Sequence, residues 1–320
     1  MKKPAKTIEP IQEKLSLLPK LDFKFLSKLC HELKAPLFPL IALTDLILNH
    51  PQTLENREEM VAHVGVMQKA GHSLLSIIDD LRILSQIGSC QYTPKVARLH
   101  LQEIFINKAN EVPGMWTFDD EMDTQEIIGD RKALEIFSAS LASIRNAYSP
   151  RPVSPIKVQL RDGKISLSIS LPALPNSELS GLEPPFIRPP WSILDEAENQ
   201  SLKFDLCFAL SNALGGEAGF ESQEQSTSFK ITLPFARPSV AQSHSSTETK
   251  FVLVSNNLRE SYSALLRCHS EGLTITLMAA ERAISTAGTK GIKYLVDETS
   301  SGQLPEGQLV NLYDLPNIIR

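Results

Sequence analysis

Apolar residues return at three- and four-residue steps from residue 21 to about residue 49. Phe25, Leu26, Leu29, Leu33, Leu37, Leu40, Ile41 and Leu48 fall in that row, with Thr44 among them. That period predicts one long amphipathic helix. His50-Pro51-Gln52-Thr53 ends it. A second long helix is predicted over about 55–85, with Val61, Val64, Met67, Ala70, Leu74, Leu75, Ile78, Leu81 and Leu84 on its apolar side. Two such helices make an antiparallel hairpin. One hairpin leaves its apolar stripe half covered, so the expected solution is a dimeric four-helix bundle.

The pattern then becomes mixed. Residues 99–110 read as a helix, and Ile127-Ile128-Gly129-Asp130 as a strand leading into a helix over 131–148. Segments 156–160 and 164–170 alternate around Asp162-Gly163, which predicts a β-hairpin. A Pro-rich stretch covers 172–191. A helix over 202–214 ends at Gly215-Gly216, and short strands follow near 217–222 and 228–233. This order predicts an α+β sandwich with helices on one face of a sheet. Residues 236–250 are rich in Ser, Thr and Pro and read as a linker. Strands at 251–254, 273–278, 292–296 and 308–313, with helices at 259–268 and 280–287, predict a small parallel sheet.

The expected organisation is therefore multidomain, α and α+β. It comprises a flexible segment 1–20, a helical hairpin 21–90, an α/β sandwich 95–236, a linker 237–250 and a small α/β segment 251–320.

Composition narrows the function classes. The chain has 320 residues, 42% hydrophobic and 22% charged, as in a soluble globular protein. A net charge of -5 gives no general reason to expect nucleic acid. No run approaches the roughly 18 apolar residues of a membrane helix, and the basic start carries no apolar signal segment. Cys30, Cys90, Cys207 and Cys268 form no CxxC pair, so they read as reduced thiols and not as a metal site. A cytoplasmic location follows as the expectation.

A lone helical histidine is usually an ordinary surface residue. Here His31 sits in Phe25-Leu26-Ser27-Lys28-Leu29-Cys30-His31-Glu32-Leu33-Lys34-Ala35-Pro36-Leu37, ahead of a second long helix. That stretch resembles the phosphoacceptor box of sensor histidine kinases. The resemblance implies that His31 accepts a phosphoryl group and that Glu32 orients the ring or takes its proton. Pro36 would perturb the helix one turn later. Cys30 stands where the family usually has Ser or Thr. Ala35 stands where the family has a Thr or Asn that positions a water for dephosphorylating a partner, and alanine has no group for that task.

Gly129-Asp130-Arg131-Lys132-Ala133-Leu134 is similar to the start of the first nucleotide-site helix in the same family's ATP-binding domain. The family places two Asn residues one turn apart there to hold Mg²⁺. An ungapped register keeps the apolar phase of Leu134, Phe137 and Leu141 and puts Ser140 and Ile144 at those positions. A rival register uses Asn146 and needs a two-residue insertion within the helix. The segment 171–179 lacks the family's Asp-x-Gly-x-Gly loop, although Glu183-Pro184-Pro185-Phe186 is faintly similar to the Phe-rich box that follows it. The second glycine loop, which gives backbone N–H groups to phosphates, is replaced by Lys203-Phe204-Asp205-Leu206. Bulky Phe204 and anionic Asp205 oppose phosphate. The resemblance thus implies an ATP-binding domain of the histidine-kinase type with its chemistry removed.

Phe251-Val252-Leu253-Val254-Ser255-Asn256 resembles the first strand of a receiver domain, with Ser255 and Asn256 in place of its acidic pair. Asp297 falls where a receiver's phosphoaccepting Asp would lie, but without the acidic pair Mg²⁺-assisted transfer to it is not expected. The segment reads as a truncated pseudo-receiver.

The expected function is a homodimeric histidine phosphotransfer or pseudokinase protein. It would exchange phosphate between His31 and the Asp of a receiver, in a response regulator or hybrid kinase. No cofactor or metal is expected. An active ATP-dependent kinase, which would need Mg-ATP, and a non-catalytic dimeric scaffold are the alternatives.

Overall fold

The computed structural model describes residues 23–49, 56–109, 114–119, 126–148, 154–173, 201–222, 226–238, 250–254, 257–271, 275–278, 292–296 and 309–311. The chain forms two compact units, Met1–Ser89 with Glu183–Leu206, and Cys90–Leu182 with Cys207–Arg320.

The first unit holds two long helices packed on each other, α1 (Phe23–Asn49) and α2 (Arg57–Gly88). Asn56 caps α2, its side-chain oxygen accepting from the backbone N–H of Glu58 at 3.2 Å and of Glu59 at 3.4 Å. Glu58 and Glu59 also place negative charge against the positive end of the helix dipole. At the other end the Ser89 hydroxyl donates to the Ser85 carbonyl at 2.7 Å. Pro36 and Pro39 both lie inside α1 without ending it. Each withholds the N–H that would reach the carbonyl four residues earlier, those of Glu32 and Ala35. Burial on α2 is confined to a narrow row, Ala70, Ile77 and Asp80. Phe38 and Leu48 on α1 remain 75% and 73% exposed, and Ile41, Val61, Val64, Leu75 and Ile78 are also exposed.

The second unit begins with β1 (Val96–His100), which pairs antiparallel with β3 (Glu126–Asp130). Between them run α3 (Leu101–Ala109) and the short β2 (Trp116–Phe118). Then come α4 (Arg131–Tyr148), β4 (Ile156–Arg161) and β5 (Lys164–Leu171). Helix α5 (Ser201–Ala213) starts in the first unit and ends in the second. Strands β6 (Glu217–Ser222) and β7 (Thr227–Pro234) complete a five-stranded sheet in the order β2-β4-β5-β7-β6. All its pairings are antiparallel except β2 with β4.

The core follows from two periodicities. On α4, Leu134, Phe137, Leu141, Ile144 and Tyr148 recur at three and four residues, and all are buried. On the sheet, Ile165, Leu167, Ile169 and Leu171 alternate with polar residues, as do Phe229, Ile231 and Leu233, and these apolar side chains are buried too. The β4–β5 turn takes positive φ at Asp162 (50°) and Gly163 (71°), the backbone of a type I′ hairpin.

Downstream lie β8 (Lys250–Val254), α6 (Leu258–Ser270), β9 (Ile275–Met278), β10 (Ile292–Val296) and β11 (Leu309–Asn311). The strands form a four-stranded parallel sheet in the order β11-β10-β8-β9. The helix expected over 280–287 lies outside the described residues.

Two local expectations change. The helix expected from residue 99 starts at Leu101, because Leu99 and His100 pair with Ile127 and Glu126 in the β1–β3 ladder. Strand β2 was not foreseen. Three residues carry no usable alternation, and the strand exists through its pairing with β4 and the packing of Trp116 on Phe105, with ring centroids 4.6 Å apart.

At Gly216 the backbone runs close against Thr232 of β7. A Cβ there would lie 1.9 Å from the Thr232 carbonyl oxygen and 2.9 Å from Ser211 Oγ. Gly216→Ala should therefore cost about 1–3 kcal/mol in urea unfolding. Gly219→Ala, in open space on β6, should stay within about 0.5 kcal/mol. Equal effects at the two sites would refute this account of the turn.

Candidate functional site

His31 lies on α1 and its side chain is exposed. The next residue, Glu32, is only 3% exposed. Pro36 is buried and Ala35 exposed. His31 is also seven residues before Phe38, about two helical turns, so imidazole and exposed phenyl share one helix face. A solvent-facing imidazole on a rigid helix, beside uncovered apolar surface, can act as a nucleophile towards a group carried in by another protein.

Residues 23–90 match the family model for the His Kinase A (phospho-acceptor) domain. Among solved structures the chain is similar to the Acinetobacter baumannii histidine kinase AdeS, at 14% identity and TM-score 0.43, over 64% of this chain and 97% of that one. It is similar to full-length ShkA in complex with AMPPNP, at 17% identity and TM-score 0.44, over 89% of this chain and 61% of that one. It is also similar to the histidine kinase ThkA in complex with the response regulator protein TrrA, at 14% identity and TM-score 0.47, over 70% of this chain and 63% of that one. No curated protein matches the chain.

The first unit contains, among the described residues, a buried ion pair that sequence reasoning missed. Lys203 Nζ lies 2.7 Å from Asp80 Oδ2 and 2.9 Å from Oδ1, and donates to Ser76 Oγ at 2.9 Å. The side chains are 13% and 9% exposed. This fastens the first turn of α5 to α2 within the first unit. Burial pushes the Asp80 carboxyl above its ordinary value, and the Lys203 cation opposes the shift. No local signal marks the pair, because the partners are 123 residues apart.

Ser140 and Ile144 are buried on α4, and Ile144 has no ligand atom to offer a metal. Asn146 is exposed on the same helix. Phe204 and Asp205 are buried and lie inside α5, which starts at Ser201. From residue 205 onward the N–H groups of such a helix bond internally and face no phosphate. Among the described residues no cluster of His, Cys, Asp and Glu could hold a metal ion. None of the described helices is long and apolar enough to cross a membrane. Ser255, Asn256 and Asp297 lie outside the described residues.

A second feature that sequence missed surrounds Asp130 at the β3–α4 junction. Its carboxylate is fully buried and accepts from Tyr92 Oη at 2.8 Å, Lys95 N at 2.9 Å and Lys132 N at 3.0 Å. The Lys132 ammonium sits 4.5 Å from the Tyr92 ring centroid. Burial raises the Asp130 carboxyl, opposed by the Tyr92 hydroxyl and by the N–H groups of Lys95, Ala133 and Lys132. Burial also drives Tyr92 upward, reinforced by the Asp130 charge, so the phenol stays protonated and donates.

These two clusters yield separate tests. A carboxyl with a raised folded pKa stabilises the fold most at low pH, and that contribution is lost as pH rises through the folded value. Tyr92→Phe removes a donor that favours the ionised Asp130 and should steepen this loss. The variant should cost about 1.5–3 kcal/mol at neutral pH and less in acid. Denaturant titrations at both pH values would check this, and an equal cost at each would contradict it. For the ion pair, Lys203→Met strands a buried carboxylate and should cost about 3–5 kcal/mol, while adding Asp80→Leu should restore most of the loss. Failure of the second change to rescue the first would show that the pair itself is not what holds α5.

Proposed function

We propose that this chain is a two-component phosphotransfer protein that exchanges a phosphoryl group between His31 and the aspartate of a separate receiver domain, without using ATP. The observation that carries the reading is His31 itself, exposed on the first helix of a matched phospho-acceptor domain. The receiver, in a response regulator or a hybrid kinase, presents an aspartyl phosphate. One imidazole nitrogen attacks phosphorus, an N–P bond forms, the acyl O–P bond breaks, and the receiver's carboxylate leaves. The imidazole proton ends on the ring's other nitrogen or passes to a base. In this reading Glu32 positions the His31 segment and assists that proton, and Ala35 leaves the site without a side chain to aim a hydrolytic water.

The exposed apolar row on both helices supports pairing of two hairpins into a four-helix bundle. The α/β portion is read as a degenerate ATP-binding domain. Buried Ile144 replaces a metal-binding side chain, and helical backbone replaces a glycine loop at Phe204 and Asp205. The C-terminal parallel sheet is read as a truncated receiver-like segment.

Incubation with a phosphorylated receiver should label wild-type protein on histidine and leave His31→Gln unlabelled. Mg-ATP should neither label the protein nor bind it saturably. Labelling from ATP would replace this reading with an active kinase. Absence of label from every receiver tried, with signalling unchanged in His31→Gln, would replace it with a scaffold.

A further inference from the structure

Helix α6 belongs to the C-terminal segment, yet one whole side of it is buried. Ser261, Tyr262, Ala264, Leu265, Leu266 and Cys268 are all inaccessible. The helix packs on β1 and β3 as well as on its neighbour β9. Tyr262 is the centre of that contact. Its hydroxyl accepts from the backbone N–H of Asp130 at 3.2 Å and donates to the Pro234 carbonyl at 3.1 Å. One phenol thus joins the last residue of β3 to the last residue of β7. A second contact comes from Arg259, one turn earlier. Its aliphatic stem lies 3.2 Å from the position a Cβ would take on Gly215, which has φ +76°. Glycine at the end of α5 therefore serves two needs, the left-handed backbone and room for Arg259.

The two main-chain groups that Tyr262 satisfies form a specific notch. Asp130 N–H is available because the residue ends its strand and opens α4. Pro234 C=O is available beside the bridge in which Ile128 N donates to Ala236 O at 2.8 Å and Ala236 N donates to Ile128 O at 3.0 Å. A buried amide and a part-buried carbonyl without partners are costly. The notch therefore selects a group that both accepts and donates at the tip of an apolar ring, which is a tyrosine phenol.

We infer that the β1–β3 face is an interaction surface whose occupant is helix α6 of the same chain, so that the C-terminal segment is clasped to the α/β domain as one cooperative body through Tyr262. The clasp ends on Asp130, whose carboxylate accepts from Lys132 N in the first turn of α4. Displacement of α6 by a partner of the C-terminal segment would reach α4 through this residue. A module hung on a tether would behave otherwise, with α6 opening independently of the strands. This inference does not depend on the role assigned to His31.

The test is amide hydrogen exchange on the full chain. In the wild type, α6 amides and the Asp130 amide should share one protection level. Tyr262→Phe removes only the hydroxyl, and should accelerate exchange at Asp130 and along α6 together by about ten- to a hundredfold, the equivalent of the two hydrogen bonds the phenol makes. Ser263→Ala, on the exposed side of α6, should leave both unchanged. Exchange of α6 well ahead of β3 in the wild type would overturn the inference. So would a Tyr262→Phe protein in which Asp130 keeps its protection. If Tyr262→Phe loosens the whole molecule, the wild-type comparison of α6 with β3 decides alone.

Discussion

A carboxylate sealed from water costs several kcal/mol unless donors surround it, and the Asp130 side chain meets that condition with donors from two places in the chain while its own N–H is met from a third. Tyr92 and Lys95 come from the segment before β1, Lys132 from α4, and the residue's own N–H goes to Tyr262 of α6. Each donor must be in place for the charge to be tolerated. The geometry of the β3–α4 junction is therefore over-determined. The rest of α4 inherits its direction from that junction, and with it the burial of Leu134, Phe137, Leu141 and Ile144 against the sheet.

The two units handle polar chemistry in opposite ways. In the helical hairpin the imidazole of His31 faces outward, on a helix that also leaves Leu37, Phe38, Ile41 and Leu48 exposed. An exposed imidazole and unburied apolar side chains on one element make a surface suited to meet other molecules. In the α/β unit, Ser140 and Ile144 face inward on α4. Both contribute to packing, and apolar burial there stabilises the domain without any ligand. The proposed division of labour follows from this contrast, with phosphoryl exchange on the hairpin and a supporting role for the sheet domain.

Two specific contacts lie at the start of α5 and just past its end. The Lys203–Asp80 pair ties the first turn of α5 to α2, and Arg259 rests on the glycine that ends the same helix. Neither contact adds much apolar area. Both fix orientation, because a buried charge or a glycine-sized gap accepts only one arrangement.

Local sequence determined the elements. The 3-4 recurrence of apolar residues set α1, α2 and α4 to within a few residues, and Asp162-Gly163 specified its turn because both residues accept positive φ. The histidine box was readable for the same reason, since its spacing lies within one helix. Tertiary structure alone decided which polar groups meet. Tyr92 and Tyr262 reach Asp130 across 38 and 132 residues of chain, and Lys203 reaches Asp80 across 123. A tyrosine, lysine or aspartate in isolation has the composition of an ordinary surface residue. Only the packing of distant elements removes the water between them and turns ordinary side chains into obligatory partners.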